Sequence, residues 1–177
     1  QRGEILLDGR PIEEYNLVWL RRQVAVVMQD VFLFSGDVAQ NIRLGDDEID
    51  DEHVWGALRF IGADGFVCGL PDGIHSRVVE RGATFSAGQR QLVSFARAVA
   101  FNPGVLILDE ATASIDTETE RAINAAMERA SKNRTMLIVA HRLSTVRNAD
   151  VIFVLDHGVI LEQGNHESLM RRNGRYA

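Results

Sequence analysis

One cysteine, one lysine and three prolines among 177 residues leave several kinds of chemistry without material. Cys68 stands alone, so it can form neither an internal disulfide nor a cysteine metal cluster, which is the pattern of a reducing compartment. No run of eighteen or more apolar residues occurs, and no transmembrane helix is expected within these residues. The net charge is −6 and the arginines are scattered, so there is no basic stripe and no nucleic-acid partner is expected. No internal repeat or low-complexity segment is visible. What is present, 46% hydrophobic and 25% charged residues, suits a globular α/β piece of single-domain length.

The most informative stretch runs from Ser86 to Glu110. Ser86 and Gln89 have the spacing of a capping box, in which the serine oxygen accepts an orphan backbone N–H and the glutamine reaches back. Gly88 between them is read as letting a phosphate approach the backbone, since a helix start with free N–H groups and a positive dipole end suits phosphate. Leu92, Val93, Ala96, Val99 and Ala100 recur at helical spacing, and Asn102-Pro103-Gly104 stops the helix. Val105 to Leu108 is apolar without alternation, which predicts a parallel strand buried on both faces. Asp109 and Glu110 then emerge at its C-terminal end, the edge where open α/β sheets hold ligands. Neighbouring strand residues point opposite ways, so one carboxylate can hold Mg²⁺, directly or through water, while the other faces an attacking water. Each piece alone has an ordinary explanation; in this order they point to nucleotide hydrolysis.

Phe85-Ser86-Ala87-Gly88-Gln89 resembles the ABC signature, commonly Leu-Ser-Gly-Gly-Gln, and Val105 to Glu110 resembles the Walker B strand with its catalytic glutamate. Ala111 to Asp116 resembles the D-loop. Gln29, after Val24 to Met28, matches the Q-loop glutamine, and His141, after Met136 to Ala140, the H-loop histidine. With five ordered motifs, the chain resembles the nucleotide-binding domain of an exporter-type ABC transporter. The resemblance implies a P-loop NTPase core of ABC-ATPase type with a helical subdomain: residues 1–30 and 102–177 as the α/β core, 31–101 as the helical part. It also implies ATP and Mg²⁺ as cofactors, and a composite site between two nucleotide-binding domains packed head to tail. Glu110 would be the general base, His141 would contact the γ-phosphate, and Asp109 with Gln29 would position Mg²⁺ and water. Ser86, Ala87, Gly88 and Gln89 would act on the partner's nucleotide in trans, and Asp116 would cross the interface. Partners implied are a second such domain and the coupling helices of a transmembrane domain, at the cytoplasmic face of the membrane.

The departures matter as well. A Gly-x-x-x-x-Gly-Lys-Ser/Thr loop, whose amides and lysine hold phosphates, does not occur, because Lys132 has no glycine loop before it. The sequence is therefore read as a C-terminal portion of such a domain that lacks the P-loop strand and is inactive alone. If that strand neighbours Val105 to Leu108, the acidic strand has an open edge, and the chain is expected either to self-associate or to have its sheet completed by a rearranged segment. Ala87 stands where the signature usually has its first glycine. One rival reading is a non-catalytic or regulatory ABC module that contributes its signature in trans. Another is a DNA-repair or chromosome-maintenance ATPase, which the sixty positions between Gln29 and Gln89 leave too little room for.

Elsewhere, Glu4 to Leu7 and Val24 to Met28 read as strands, and Asn16 to Arg21 as a helical turn. The stretch from Val31 to Phe101 reads as short helices without a strand, and Thr117 as the cap of a helix with Glu120 at capping-box spacing. Val151 to Leu155 and Val159 to Gln163 flank Asp156-His157-Gly158 as a hairpin, and His166 to Arg172 is a last helix. Phe32 and Phe34 suit an interface or a core equally. Trp19 and Trp55 are expected to pack. The acidic run Asp46 to Glu52 lacks the glycine and spacing of a calcium loop and reads as a solvated helix start. His53, His75, His157 and His166 read as surface residues.

Overall fold

The computed structural model describes residues 3–79, 82–109, 117–140 and 143–177. They form two compact units, residues 1–139 and 140–177, each described by itself below.

In the first unit a short antiparallel pair, β1 (Leu6–Leu7) and β2 (Arg10–Pro11), precedes α1 (Leu17–Gln23), whose start is capped by the Asn16 side chain accepting from the amides of Val18 and Trp19. Next come β3 (Val24–Val27), β4 (Gly36–Asp37), α2 (Val38–Arg43), α3 (Asp51–Ile61), α4 (Asp64–Cys68) and β5 (Arg77–Val78). The unit closes with α5 (Ala87–Ala100), β6 (Val105–Asp109), α6 (Thr117–Ser131) and β7 (Thr135–Val139). α3 shows how these sequences choose their helices. Asp50 accepts the amide of His53 at its start. Val54, Ala57, Leu58 and Ile61 then fall on one buried face, and Gly62, at φ +77°, ends the helix in the left-handed region that a side chain resists.

α5 is the central helix. It packs against α2, α3, α6 and β3 and buries Leu92, Val93, Phe95, Ala96 and Val99. Burying a side chain such as Phe95 or Leu58 stabilises by about 1.5–3 kcal/mol each, so this cluster outweighs any of the surface ion pairs. β4, just before α2, and β5, after α4, pair antiparallel over two residues each, a pairing too short to leave a strand pattern in the sequence.

The three-stranded sheet is parallel, in the order β3-β6-β7. β6 is therefore the middle strand, hydrogen-bonded on both sides, and the expected open edge along Val105 to Leu108 is not found. Among the described strands the outer edges belong to β3 and β7. The expectation of burial on both faces also needs correction. Leu106 and Leu108 are buried in the core cluster, while Val105 and Ile107 alternate with them in partly open positions. On that second face Val26, Leu137 and Val139 are about half exposed. Apolar composition alone does not separate a strand covered twice from one covered once.

The second unit holds α7 (Leu143–Val146), the hairpin β8 (Ile152–Asp156) and β9 (Val159–Gly164), and α8 (His166–Arg172). The hairpin turns on two residues, His157 and Gly158, both at positive φ, which fits a type I′ turn whose twist matches the strands; Asp156 belongs to the strand. Asn165 caps α8 by accepting the amide of Ser168, and Leu169 is buried in this small unit with Ile152. No helix among the described residues is long and apolar enough to cross a membrane.

Candidate functional site

The capping box at the start of α5 is formed. The amide of Gln89 donates to Ser86 Oγ at 3.1 Å, and Gln89 Oε1 accepts the amide of Ser86 at 2.9 Å. The first turn of a helix has more amides than intrahelical acceptors, and the box occupies two of them. The amides of Ala87 and Gly88, at the first two helical positions, have no acceptor within the helix. Two amides beside a positive dipole end, next to the exposed hydroxyl of Ser86, match the donor set that phosphate oxygens require, so this end fits an anion such as a nucleotide phosphate. Ser86 and Ala87 are exposed and Gly88 is buried.

Asp109 is the last residue of β6 and is partly buried. Val27 of β3 lies opposite Leu108, and Val139 of β7 opposite Asp109, so all three parallel strands end at one level. Gln29 follows two residues past the end of β3 and is exposed. Asp109 and Gln29 thus share the C-terminal edge of neighbouring strands, the side on which such sheets hold ligands. An aspartate with a glutamine amide oxygen is a hard-oxygen donor set suited to Mg²⁺, which keeps several waters and takes few protein ligands. Glu110, Asp116 and His141 lie outside the described residues. A cleft of about 530 Å³ between α3 and the end of α5, bordered by His53, Phe60 and Arg134, contains none of the residues read as functional.

The structure adds two residues the sequence reading did not single out. Asn41, in α2, is fully buried and uses all its capacity: Nδ2 donates to the carbonyls of Phe34 at 2.8 Å and Asp37 at 2.9 Å, and Oδ1 accepts the amide of Phe34 at 2.8 Å and Arg97 Nη2 at 3.1 Å. Arg97, from α5, also donates through Nε to the Asn41 carbonyl at 2.7 Å and through Nη1 to the Phe32 carbonyl at 3.1 Å. Burial pushes the Arg97 pKa below its usual value. This pair ties the loop that follows Gln29 to the helix that begins at Ser86. On that mount Phe32 and Phe34 meet edge to face at 5.0 Å, with Arg97 5.7 Å from the Phe34 ring, and about half of each aromatic residue stays open to solvent.

Other predicted features resolve simply. The acidic run is a capped helix start. The His53 amide and ring hold the Asp50 carboxyl below its usual pKa, and Arg43, pairing with Asp51, does the same there. His75 lies 3.1 Å from Asp51, and His166 Nδ1 is 2.9 Å from the Tyr176 hydroxyl. Trp55 packs against the core, and Trp19, 44% exposed, packs at the surface by stacking on Tyr15 at 5.0 Å. α6 already includes Thr117, so Thr117 is its first residue and not its cap.

Compared with known proteins, residues 1–113 match the family described as ABC transporter. The chain belongs to the ABC transporter family. It is 50% identical over 176 residues to a probable multidrug resistance ABC transporter ATP-binding/permease protein of Bacillus subtilis, covering 99% of this chain and 26% of that protein. It is 48% identical over 177 residues to an ATP-dependent lipid A-core flippase of Haemophilus influenzae, covering 99% of this chain and 30% of the flippase. Its fold matches a bacterial Atm1-family ABC exporter, solved with ATP bound, at a TM-score of 0.91 and 39% identity, over 99% of this chain and 31% of the exporter. The ABC transporter chain described here thus spans between a quarter and a third of the length of these relatives.

Proposed function

We propose that this chain is the nucleotide-hydrolysing part of an ABC exporter, powering transport at the cytoplasmic face of a membrane through a head-to-tail pair of nucleotide-binding domains. The observation that carries this reading is the start of α5: a closed capping box that leaves two amides and a hydroxyl for a phosphate. Residues 1–30 and 102–177 serve as the α/β core and 31–101 as the helical part. Asp109 and Gln29 hold Mg²⁺ and orient the attacking water from the sheet edge. Glu110 takes the water's proton and His141 holds the γ-phosphate. Ser86, Ala87, Gly88 and Gln89 close on the nucleotide of the partner domain, and Asp116 crosses between the two. Bound Mg²⁺ neutralises charge on the phosphates, and positioning with charge stabilisation supplies most of phosphoryl-transfer catalysis. The half-exposed pair Phe32 and Phe34 faces the coupling helices of the transmembrane part.

The test is Glu110→Gln in the full-length protein. ATP binding should persist while turnover falls by ~10²-fold or more, the scale of losing a general base. Near-normal hydrolysis by that variant would remove Glu110 from its role and with it the hydrolytic reading of this edge.

A further inference from the structure

Gly88 has three possible reasons to be a glycine, and the structure separates them. A left-handed backbone is one, and it does not apply: Gly88 is the second residue of α5 and is not among the residues of positive φ. Close approach of a ligand to the Cα is another, but Gly88 is buried and the place of a side chain at this position is already taken. A Cβ there would stand 2.8 Å from Thr119 Cγ2, 2.9 Å from its Oγ1 and 3.0 Å from its Cβ. Those distances are well inside the 3.5–4.0 Å at which carbon atoms attract. Thr119 lies in the first turn of α6, and its β-branched side chain has few rotamers into which it could retreat. The neighbouring position offers a contrast. Ala87 is exposed and carries a methyl where the signature pattern usually has glycine, whereas the buried position keeps its glycine.

We propose that Gly88 is a glycine because of Thr119, and that Thr119, a residue with no place in the sequence motifs, is the positioning residue that seats the first turn of the signature helix. The Cα side of Gly88 serves helix packing, while the amides of Ala87 and Gly88 serve the phosphate. Any side chain at position 88 lifts the start of α5 off α6 and moves Ser86 and the two amides together. The packing half stands by itself; its consequence for turnover rests on the hydrolytic reading above.

The test is a cycle of Gly88→Ala, Thr119→Ala and the double variant. Melting of the chain reports the contact. Gly88→Ala should lower the midpoint by roughly 2–10 °C, the scale of overpacking in a chain of this size, and the double variant should regain most of that loss. Thr119→Ala alone measures whatever else the threonine contributes. In the full-length protein Gly88→Ala should cut ATP turnover about ten-fold or more, as misplaced binding groups do, with the double variant recovering to within about three-fold of the Thr119→Ala single. A Gly88→Ala variant that melts like the parent, or a double variant no more stable than Gly88→Ala, overturns the packing claim. Recovered melting without recovered turnover overturns the claim that packing is why the residue is glycine, because a ligand would then need the bare Cα. Failure of the hydrolytic reading is distinct: the unmutated full-length protein would not turn over ATP, while the melting cycle would still report the contact.

Discussion

The stretch 31–101 and the stretch 140–177 both carry many large apolar side chains, and the protein treats them in opposite ways. In the first, Leu33, Val38, Ile42, Val54, Leu58 and Ile61 are wholly buried, and the polar groups among them, Asn41 foremost, are hydrogen-bonded. In the second, Phe153, Leu155, Val159, Ile160 and Leu161 are each 46–65% exposed, and among the described residues of this stretch the buried apolar ones are Ile152 and Leu169. Short amphipathic helices can cover one another, since each has one apolar stripe and several neighbours on which to lay it. A two-stranded hairpin has two faces, and the helix described as packing on it, α8, is seven residues long. The difference teaches that the helical stretch carries its own core, whereas the apolar surface of the hairpin contributes little to the stability of the chain as it stands.

Matched truncations would break that comparison if it is wrong. Leu58→Ala, at a fully buried site in α3, should cost about 2–5 kcal/mol in denaturant unfolding, because a cavity is left beside α5. A loss under 1 kcal/mol would mean that the helical stretch is not the stabilising core. Asn41→Leu comes next, at roughly 2–3 kcal/mol, since it strands the carbonyls of Phe34 and Asp37, the amide of Phe34 and one Arg97 donor in a buried place. Hydrogen exchange should show the amide of Phe34 losing protection first. The smallest effect belongs to Leu155→Ala in the hairpin, expected within about 0.5 kcal/mol of the parent, because Leu155 is 65% exposed. A loss comparable to that of Leu58→Ala would show that a partner surface covers the hairpin under the conditions of the measurement.

Legibility followed how local the cause was. The box at Ser86 and Gln89 could be read because both partners stand three residues apart and satisfy each other, whatever the rest of the fold does. The hairpin was legible for a similar reason, its turn being fixed by His157 and Gly158 in sequence. The order β3-β6-β7 was not, since the choice of neighbour for Val105 to Leu108 is decided by elements some eighty residues earlier and twenty-five later. Nor could the burial of one face only be seen, since an apolar run looks the same whether one layer or two will cover it. Asn41 and Arg97 left no pattern at all: a single asparagine in a short helix and one arginine among alanines meet across 56 positions. Thr119 escaped notice because its importance lies in the volume it fills beside Gly88.

The joint between Arg97 and the loop 32–34 has a consequence for how motion could pass through the molecule. Every acceptor described for Arg97 is a neutral oxygen, two main-chain carbonyls and one side-chain amide. Neither arginine nor asparagine gains or loses a proton anywhere near neutral pH. The linkage therefore behaves as a mechanical hinge pin: a displacement of Phe32 and Phe34 reaches α5 with the same stiffness in acid and in neutral solution, and added salt has no carboxylate partner there to screen.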